Sequence, residues 1–289
     1  MRLAFLGTPR AAVPSLEALV RAGHEVVVVI SAPDRRRGRG GDVSASPVKA
    51  AALALGLEVA DDLCALDGLD LDYGIVVAYG ALVPAAVLER VAMLNVHFSL
   101  LPRWRGAAPV QRAILAGDEQ TGVGIISLEV TLDTGPLHGE RRTEIGAKTA
   151  SELELELAHL GADLLIEVLG DPDRLAHPRA QTGESTYAAK LSAETYHLTP
   201  ELTVDEALRL VRLERAFVKV RARRLRVLGV TPTGQRATPG GIVTHDRAVA
   251  LCVADGCLRL DWVQPEGARA MSGAAWWAGA RLGGDVTWE

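Results

Sequence analysis

The chain has 289 residues, about twice the usual length of a single domain, so its length favours two domains. Hydrophobic residues make up 48% and charged residues 23%, an ordinary globular composition that excludes a disordered, collagen-like or low-complexity chain. The net charge of −5 argues against a generic nucleic-acid binder. That average conceals an asymmetry, because residues 1–188 carry a net charge of −8 and residues 189–289 a net charge of +3.

Neither a membrane span nor a secretion signal is predicted. No uncharged apolar run approaches the roughly 18 residues that a span requires, and the chain reaches a Gly-Thr-Pro turn before a signal-peptide core can develop. We therefore expect a cytoplasmic protein that binds no membrane; a monomer is also expected. The three cysteines, Cys64, Cys252 and Cys257, are too few for a disulfide framework and lack the histidine neighbours of a zinc site. Buried reduced thiols and no metal are expected.

The N-terminal part of the chain alternates strand-like apolar runs with helical periodicity, which favours a largely parallel sheet. The predicted strands cover residues 2–7, 25–31, 73–79, 93–99 and 123–130. Pro14 opens a predicted helix that runs toward Gly23. Thr149 and Glu152 have the spacing of a capping box, and leucines then recur at helical intervals, so residues 150–169 are predicted as a helix.

After Gly170 the sequence is rich in proline, glycine and polar residues, which is typical of a connection leaving the first domain. A helix is predicted from residue 203 onward, and short apolar segments separated by glycine-containing turns follow it. That spacing favours a small β-barrel. We predict a first domain over 1–188, a linker over 189–204 and a C-terminal domain over 205–289.

Asn95 and His97 form the first candidate functional pair. Residues two apart in a strand point to the same side, so both side chains project together near a strand end, where open α/β sheets place ligands. An amide that can donate to a developing oxyanion, beside an imidazole that titrates near neutrality, suits acyl transfer to an amine. Asp133 lies in the later loop sequence LDTG, where a carboxylate can orient His97 or accept a proton from the amine.

Each of these residues also has a structural interpretation. A strand-end asparagine is often a turn former, a lone histidine a hydrogen-bonded structural residue, and an aspartate before Thr-Gly a loop cap. No GxSxG, HExxH or Walker A sequence competes with them, and Gly7-Thr8-Pro9 is not the GxGxxG fingerprint. Dinucleotide binding is therefore disfavoured.

Arginine is concentrated in two places. One cluster consists of Arg35, Arg36, Arg37 and Arg39, and the other is the stretch 209–226, with eight basic residues and one acidic residue. A solvated surface and a phosphate-binding patch both remain open interpretations of these clusters.

Blocks over nearly the whole chain resemble the folate-dependent formyltransferase family, in particular its members that act on tRNA. They are FLGTP with AVPSLEAL (5–19), PDRRRGRG with SPVK (33–49), AYG with LVP (78–84), NVHFSLLPRWRGAAPVQRAILAGD (95–118), LDTG (132–135), TYAAKL (186–191) and QPEG with MS (264–272). The resemblance implies an α/β fold, with a Rossmann-like formyltransferase domain on a largely parallel sheet, followed by a small OB-like β-barrel domain that binds tRNA.

The resemblance also implies an activity, the transfer of the formyl group of 10-formyltetrahydrofolate to the amino group of methionyl initiator tRNA. Asn95 would then hold the formyl oxygen and stabilise the oxyanion. His97 would share that stabilisation and the proton handling, and Asp133 would tune His97 and assist deprotonation of the amine. The residues that match the family's folate-contacting turn are Ser99, Leu100, Leu101 and Pro102.

The resemblance assigns tRNA contacts to both arginine clusters. They fall on Arg35, Arg36, Arg37 and Arg39 in the loop 34–49 and on Arg221, Arg223 and Arg224 in the barrel. Two departures from the family concern these contacts: Gly41-Asp42 stands where relatives tend to have lysines, and residues 192–220 lack the family's aspartate-tryptophan pair and proline-glycine-alanine turn.

Two other functions are compatible with parts of this sequence. A formyltransferase acting on an amino-sugar nucleotide would share Asn95, His97 and Asp133 but would not need two arginine clusters. A catalytically silent RNA-binding protein would not need the three residues, and their presence argues against it.

Overall fold

The computed structural model describes residues 1–37, 42–245, 248–282 and 286–289. The chain forms two compact units. The first comprises Met1–Val110, Glu119–Ile145 and Glu152–Lys190, and the second comprises Gln111–Asp118, Gly146–Ser151 and Leu191–Glu289. The predicted linker over 189–204 stays a prediction.

A seven-stranded sheet lies at the centre of the first unit. The strands of this unit are β1 (Arg2–Gly7), β2 (Glu25–Ile30), β3 (Arg35–Arg37), β4 (Asp42–Ser44), β5 (Val59–Ala60), β6 (Tyr73–Val77), β7 (Met93–His97), β8 (Arg105–Gly106), β9 (Gln120–Ser127), β10 (Leu137–Glu144) and β11 (Tyr187–Ala188). The large sheet has the order β10-β9-β7-β6-β1-β2-β5. From β5 to β7 all neighbours are parallel, whereas β9 and β10 add antiparallel strands at one edge. The predicted largely parallel sheet is confirmed.

The described residues form eight α-helices, three of which correspond to the helices predicted from Pro14, over 150–169 and from residue 203 onward. They are α1 (Val13–Arg21), α2 (Pro47–Ala54), α3 (Ala85–Leu88), α4 (Pro109–Ala116), α5 (Ala150–Leu169), α6 (Pro172–Ala176), α7 (Val204–Val211) and α8 (Gly273–Ala280). Pro14 lies in the first turn of α1, where its missing N–H costs no helical hydrogen bond. Among the described residues, no helix combines the length and the apolar character that crossing a membrane requires.

Helix α5 approaches the central sheet closely at Gly161. A Cβ built on Gly161 would lie 2.7 Å from Val96 Cγ1 and 3.0 Å from Val123 Cγ2. Glycine therefore lets the helix backbone approach β7 and β9, and the contact holds the short strand in which Val96 separates Asn95 from His97.

The second unit is built on an antiparallel sheet. Its strands are β12 (Phe217–Val220), β13 (Arg223–Pro232), β14 (Ile242–His245), β15 (Ala248–Cys252), β16 (Cys257–Pro265) and β17 (Met271–Ser272). Their order is β12-β13-β16-β15-β14, with β17 paired to β16. Trp288 forms a β-bridge with Val220 in the edge strand β12. Thr287 forms a β-bridge with Gly241, just before the other edge strand, β14. The predicted barrel-like β-domain is confirmed as an antiparallel half-barrel.

Each of the three cysteines departs from the expectation of a buried, reduced thiol in one respect. Cys64 is a free thiol, as expected, but it is exposed. Cys252 and Cys257 are buried as expected, but they form a disulfide. The physical reason is strand register, because β15 and β16 place the two cysteines directly opposite each other at the end of a hairpin, with Cα atoms 4.0 Å apart.

The close approach of α5 can be tested at one position. Gly161→Ala should lower the free energy of unfolding by about 1 kcal/mol or more, because the added methyl group meets two stiff valine side chains. Gly279→Ala in α8 is the matched control, since nothing lies within 4 Å of a Cβ there. The control should gain up to about 1 kcal/mol from helix propensity. Urea unfolding measures both changes, and equal stabilisation of the two variants would contradict the close packing.

Candidate active site

Three buried polar side chains lie together in the first unit. Asn95, His97 and Asp133 are 9%, 6% and 6% exposed. Asn95 Nδ2 donates to Asp133 Oδ1 over 3.4 Å, and His97 Nδ1 lies 3.7 Å from Asp133 Oδ2. The structure therefore brings the three predicted catalytic residues into one cluster, with the carboxylate in contact with both partners.

Asp133 lies on a tightly constrained loop between β9 and β10. Its backbone has a φ of 53°, in the left-handed region that residues other than glycine seldom adopt. The Gly106 N–H donates to its Oδ2 over 2.8 Å, which helps to offset the lost hydration of a buried carboxylate. A Cβ on Gly135 would overlap the Ser127 carbonyl group, so the loop requires glycine there.

The side chain of Thr134 forms the hydrogen bonds that cap this loop. Its hydroxyl donates to Glu129 Oε2 and to the Thr131 carbonyl oxygen. The carboxylate of Asp133 instead contacts Asn95, His97 and the Gly106 N–H. The geometry therefore favours the site interpretation of Asp133 over the loop-cap interpretation.

His97 is oriented by a backbone carbonyl group. Its Nε2 lies 3.0 Å from the Trp104 carbonyl oxygen. A carbonyl oxygen can only accept, so Nε2 carries the proton in the neutral ring. Nδ1 is then unprotonated and faces the Asp133 carboxylate, ready to accept a proton beside a negative charge.

In the turn predicted to contact folate, three of the four residues are buried inside the protein. The Ser99 hydroxyl is buried and donates to the Arg103 carbonyl oxygen over 2.7 Å. Leu101 packs with Ile126 and Leu137, and Pro102 is buried too. Leu100 is the only one of the four predicted residues that is partly exposed. Their role in folate binding stays a prediction.

The first arginine cluster is partly described. Arg35, Arg36 and Arg37 form β3, whose backbone pairs with β4 in a hairpin. Arg39 lies outside the described residues. At the base of this hairpin, Lys49 Nζ lies 2.8 Å from Asp34 Oδ1.

Three predicted arginines of the second cluster meet at the β12–β13 turn. Arg221 and Ala222 form a two-residue turn, both in the left-handed region with φ of 48° and 62°. Arg223 and Arg224 follow it and are exposed. The Arg224 guanidinium lies 3.7 Å from the ring centroid of Phe217, so its planar face is held against an aromatic surface.

Other basic residues of the stretch 209–226 point elsewhere. Arg212 Nε donates to the Lys148 carbonyl oxygen, and burial together with the charge of Arg209 lowers the pKa of Arg212. Arg215 stacks over Tyr196, and Arg226 donates to the Glu214 carbonyl oxygen. The stretch is therefore not one continuous basic patch.

Two groups that form hydrogen bonds with Asp133 were not predicted from the sequence, and each of these bonds involves a backbone atom. One is the Gly106 N–H, and the other is Gln181, whose Nε2 donates to the carbonyl oxygens of Asp133 and Gly135, each over 2.8 Å. Gln181 lies in a segment whose composition signals only a connection. Within the ranges that the structure describes, no three His, Cys, Asp or Glu side chains are grouped so as to hold a metal ion.

Comparison with known proteins gives two family matches. The formyl transferase model matches residues 1–169, and the model of the formyl transferase C-terminal domain matches residues 204–281. A methionyl-tRNA formyltransferase of Novosphingobium aromaticivorans is 43% identical over 98% of both chains.

Solved structures share the fold at low sequence identity. A methionyl-tRNA formyltransferase from Clostridium thermocellum has a TM-score of 0.57 at 15% identity, covering 94% of this chain and all of that one. An N-formyltransferase from Helicobacter canadensis, solved with folinic acid and dTDP-3-aminofucose, has a TM-score of 0.69 at 17% identity, covering 91% of this chain and 98% of that one.

Two buried histidines should show opposite tautomers. His97 should carry its proton on Nε2, because that atom faces the Trp104 carbonyl group. His138 should carry it on Nδ1, which lies 2.9 Å from the Arg174 carbonyl oxygen, while its Nε2 accepts from the Ser127 hydroxyl group. Nitrogen-15 NMR of the two rings at neutral pH distinguishes the tautomers, with His138 as the internal control. A proton on Nδ1 of neutral His97 would contradict the hydrogen bond from Nε2 to the Trp104 carbonyl oxygen.

Proposed function

The chain belongs to the formyl transferase family, and we propose that it transfers the formyl group of 10-formyltetrahydrofolate to the amino group of methionyl initiator tRNA. The product would serve translation initiation. The observation that carries the proposal is the similarity to a methionyl-tRNA formyltransferase over 98% of both chains, at 43% identity. The buried set of Asn95, His97 and Asp133 supplies the chemistry that formyl transfer requires.

Asn95 acts on the oxygen of the formyl group. When the amine nitrogen attacks the formyl carbon, negative charge develops on that oxygen, and the Asn95 amide is placed to donate to it. Its Nδ2 already lies within 3.4 Å of Asp133, so the amide is held within the cluster before substrate binds. Such preorganised donation to a developing oxyanion stabilises the transition state more than the ground state.

His97 and Asp133 handle the proton of the amine. Forming the new N–C bond leaves the amine nitrogen with a positive charge, and one of its protons must leave. His97 Nδ1 can accept that proton, and the imidazolium then lies 3.7 Å from the Asp133 carboxylate. Breaking the bond between the formyl carbon and the folate nitrogen returns a proton to that nitrogen. No covalent intermediate with the enzyme is required.

Folate supplies the formyl group, and we propose that it lies against the turn Ser99–Pro102 and the loop of Asp133. Two exposed apolar side chains, Val130 and Leu132, are on that loop. They offer a surface for a flat aromatic ring close in sequence to the reacting carboxylate.

The arginine clusters supply the tRNA contacts in this proposal. Arg35, Arg36, Arg37 and Arg39 would seat the acceptor end, and Arg221, Arg223 and Arg224 would contact phosphates from the β-domain. Because all three catalytic residues come from one chain, we propose a monomer as the working state. It would act in the cytoplasm, where aminoacylated tRNA is used.

A formyltransferase acting on an amino-sugar nucleotide is the alternative. The fold is shared with the Helicobacter canadensis enzyme, but only at 17% identity. One assay separates the two functions: methionyl initiator tRNA and an amino-sugar nucleotide are compared as acceptors with the same folate donor. Formylation of the sugar and not of the tRNA would overturn our proposal.

Asn95→Ala should raise the activation free energy by about 3 kcal/mol, the usual effect of removing one oxyanion donor. The affinity for tRNA should be nearly unchanged, because Asn95 is buried beside Asp133. Steady-state formylation gives kcat, and tRNA titration gives Kd. A variant with wild-type kcat would remove Asn95 from the mechanism.

The salt dependence of tRNA binding should distinguish arginines that contact phosphate groups from arginines that are only solvated. Replacing Arg221, Arg223 and Arg224 together by alanine should make the dependence of log Kd for tRNA on log salt concentration less steep. The reduction in slope should correspond to the loss of up to about three phosphate contacts. The kcat at saturating tRNA should barely change. Replacing Arg35, Arg36, Arg37 and Arg39 should also lower kcat, because that hairpin would seat the reacting amine.

A matched control removes three exposed arginines that are paired with carboxylates, namely Arg21, Arg90 and Arg142. It changes the net charge as much as the first variant does, but the salt slope should stay at the wild-type value. A tRNA affinity that does not depend on salt would contradict the phosphate contacts.

A further inference from the structure

The backbone around Asp133 is held by a side chain that takes no part in the chemistry described above. Gln181 Nε2 uses both of its protons, donating to the Asp133 and Gly135 carbonyl oxygens over 2.8 Å each. These bonds lie on either side of Thr134. They hold the loop in which Asp133 adopts its left-handed conformation, with φ of 53°.

Arg105 fixes the orientation of the Gln181 amide group. Gln181 Oε1 accepts from Arg105 Nε over 3.1 Å and from Arg105 Nη2 over 2.6 Å. A guanidinium group only donates and a carbonyl group only accepts, so the amide satisfies all four bonds in a single orientation. Its two donors must therefore face the Asp133 loop.

The segment that carries Gln181 also holds the turn opposite Asp133. Thr186 accepts from the Trp104 N–H through its hydroxyl and from the Arg105 N–H through its carbonyl group, each over 2.9 Å. Strand β11 then pairs with β8. The turn held in this way contains the Trp104 carbonyl group that orients His97 and the Gly106 N–H that binds Asp133.

We propose that Gln181, oriented by Arg105, is a positioning residue for the reaction. It sets the distance of the Asp133 carboxylate from His97 and Gly106 by fixing the loop backbone on which the carboxylate lies. The inference rests on the proposed function for its effect on turnover. Misplacing a reacting group by about 1 Å can cost about 100-fold in rate, so the expected loss is mainly in kcat.

The test uses the full chain with two substitutions of Gln181. Gln181→Met keeps the size of the side chain and removes both donors, and Gln181→Glu keeps acceptors for Arg105 but cannot donate to the two carbonyl groups. Both should lower kcat by about 10- to 100-fold with KM for tRNA and folate changed by less than about 2-fold. Gln120→Met is the matched control, because Gln120 is an exposed residue of the same unit whose side-chain amide donates to Glu144.

Coupling to Asp133 distinguishes positioning from general destabilisation. In an Asp133→Asn background, adding Gln181→Met should lower the single-turnover rate by less than about 3-fold, because the carboxylate to be positioned is already gone. A loss as large as in the wild-type background would overturn the inference. Wild-type kcat in both Gln181 variants would overturn it as well.

Hydrogen exchange gives a readout that does not depend on activity. The Gly106 amide proton is bonded to Asp133 Oδ2, so its exchange should accelerate about 10-fold or more in Gln181→Met and stay unchanged in Gln120→Met. If the wild type fails to formylate initiator tRNA, the proposed function is wrong, and Gly106 exchange alone decides the positioning. Unchanged exchange in Gln181→Met would overturn it.

Discussion

A carboxylate withdrawn from water has to receive hydrogen bonds where it lies, and this constraint organises the catalytic unit around Asp133. The bonds come from Gly106 and Asn95, two residues that the chain brings back to it from 27 and 38 positions away. For Gly106 to reach Asp133, the chain after β7 must turn back, and the buried Ser99 hydroxyl helps to hold that turn. Leaving the charge without these donors would be costly, so loop and turn stabilise each other.

The same physics explains which elements could be predicted. Parallel strands with both faces covered are continuous apolar runs, and β1, β2, β6 and β7 were predicted for that reason. The antiparallel strand β10, with the sequence LHGERRTE, has little apolar character and was not recognised. It lies at the edge of the sheet, where its polar side chains are tolerated, and only its pairing with β9 makes it a strand.

In the candidate site, the clustering of Asn95, His97 and Asp133 could be expected from the sequence, whereas the contacts that involve backbone atoms could not. Asn95 and His97 share one side of a strand, and Asp133 has a distinctive loop sequence. Gly106 donates to Asp133 through its backbone N–H. The Gln181 side chain donates to two backbone carbonyl oxygens, those of Asp133 and Gly135. Every residue carries those atoms, so no pattern marks such a contact. The Cys252–Cys257 disulfide was missed for a related reason, because it follows from strand register rather than from spacing.

The charge of the chain shows why local geometry matters more than composition for a polyanionic partner. A net charge of −5 would repel RNA at long range, yet at physiological ionic strength charges beyond about 8 Å are largely screened. The proposed phosphate contacts then depend on the local charge of one exposed turn, the one that carries Arg221 and Arg223. That turn places two residues other than glycine in the left-handed region, which costs about 1–3 kcal/mol each where Asn-Gly would cost little. Two-residue hairpin turns favour this left-handed conformation at both central residues because it matches the twist of the flanking strands, so the β12–β13 hairpin itself accounts for the conformation of Arg221 and Ala222.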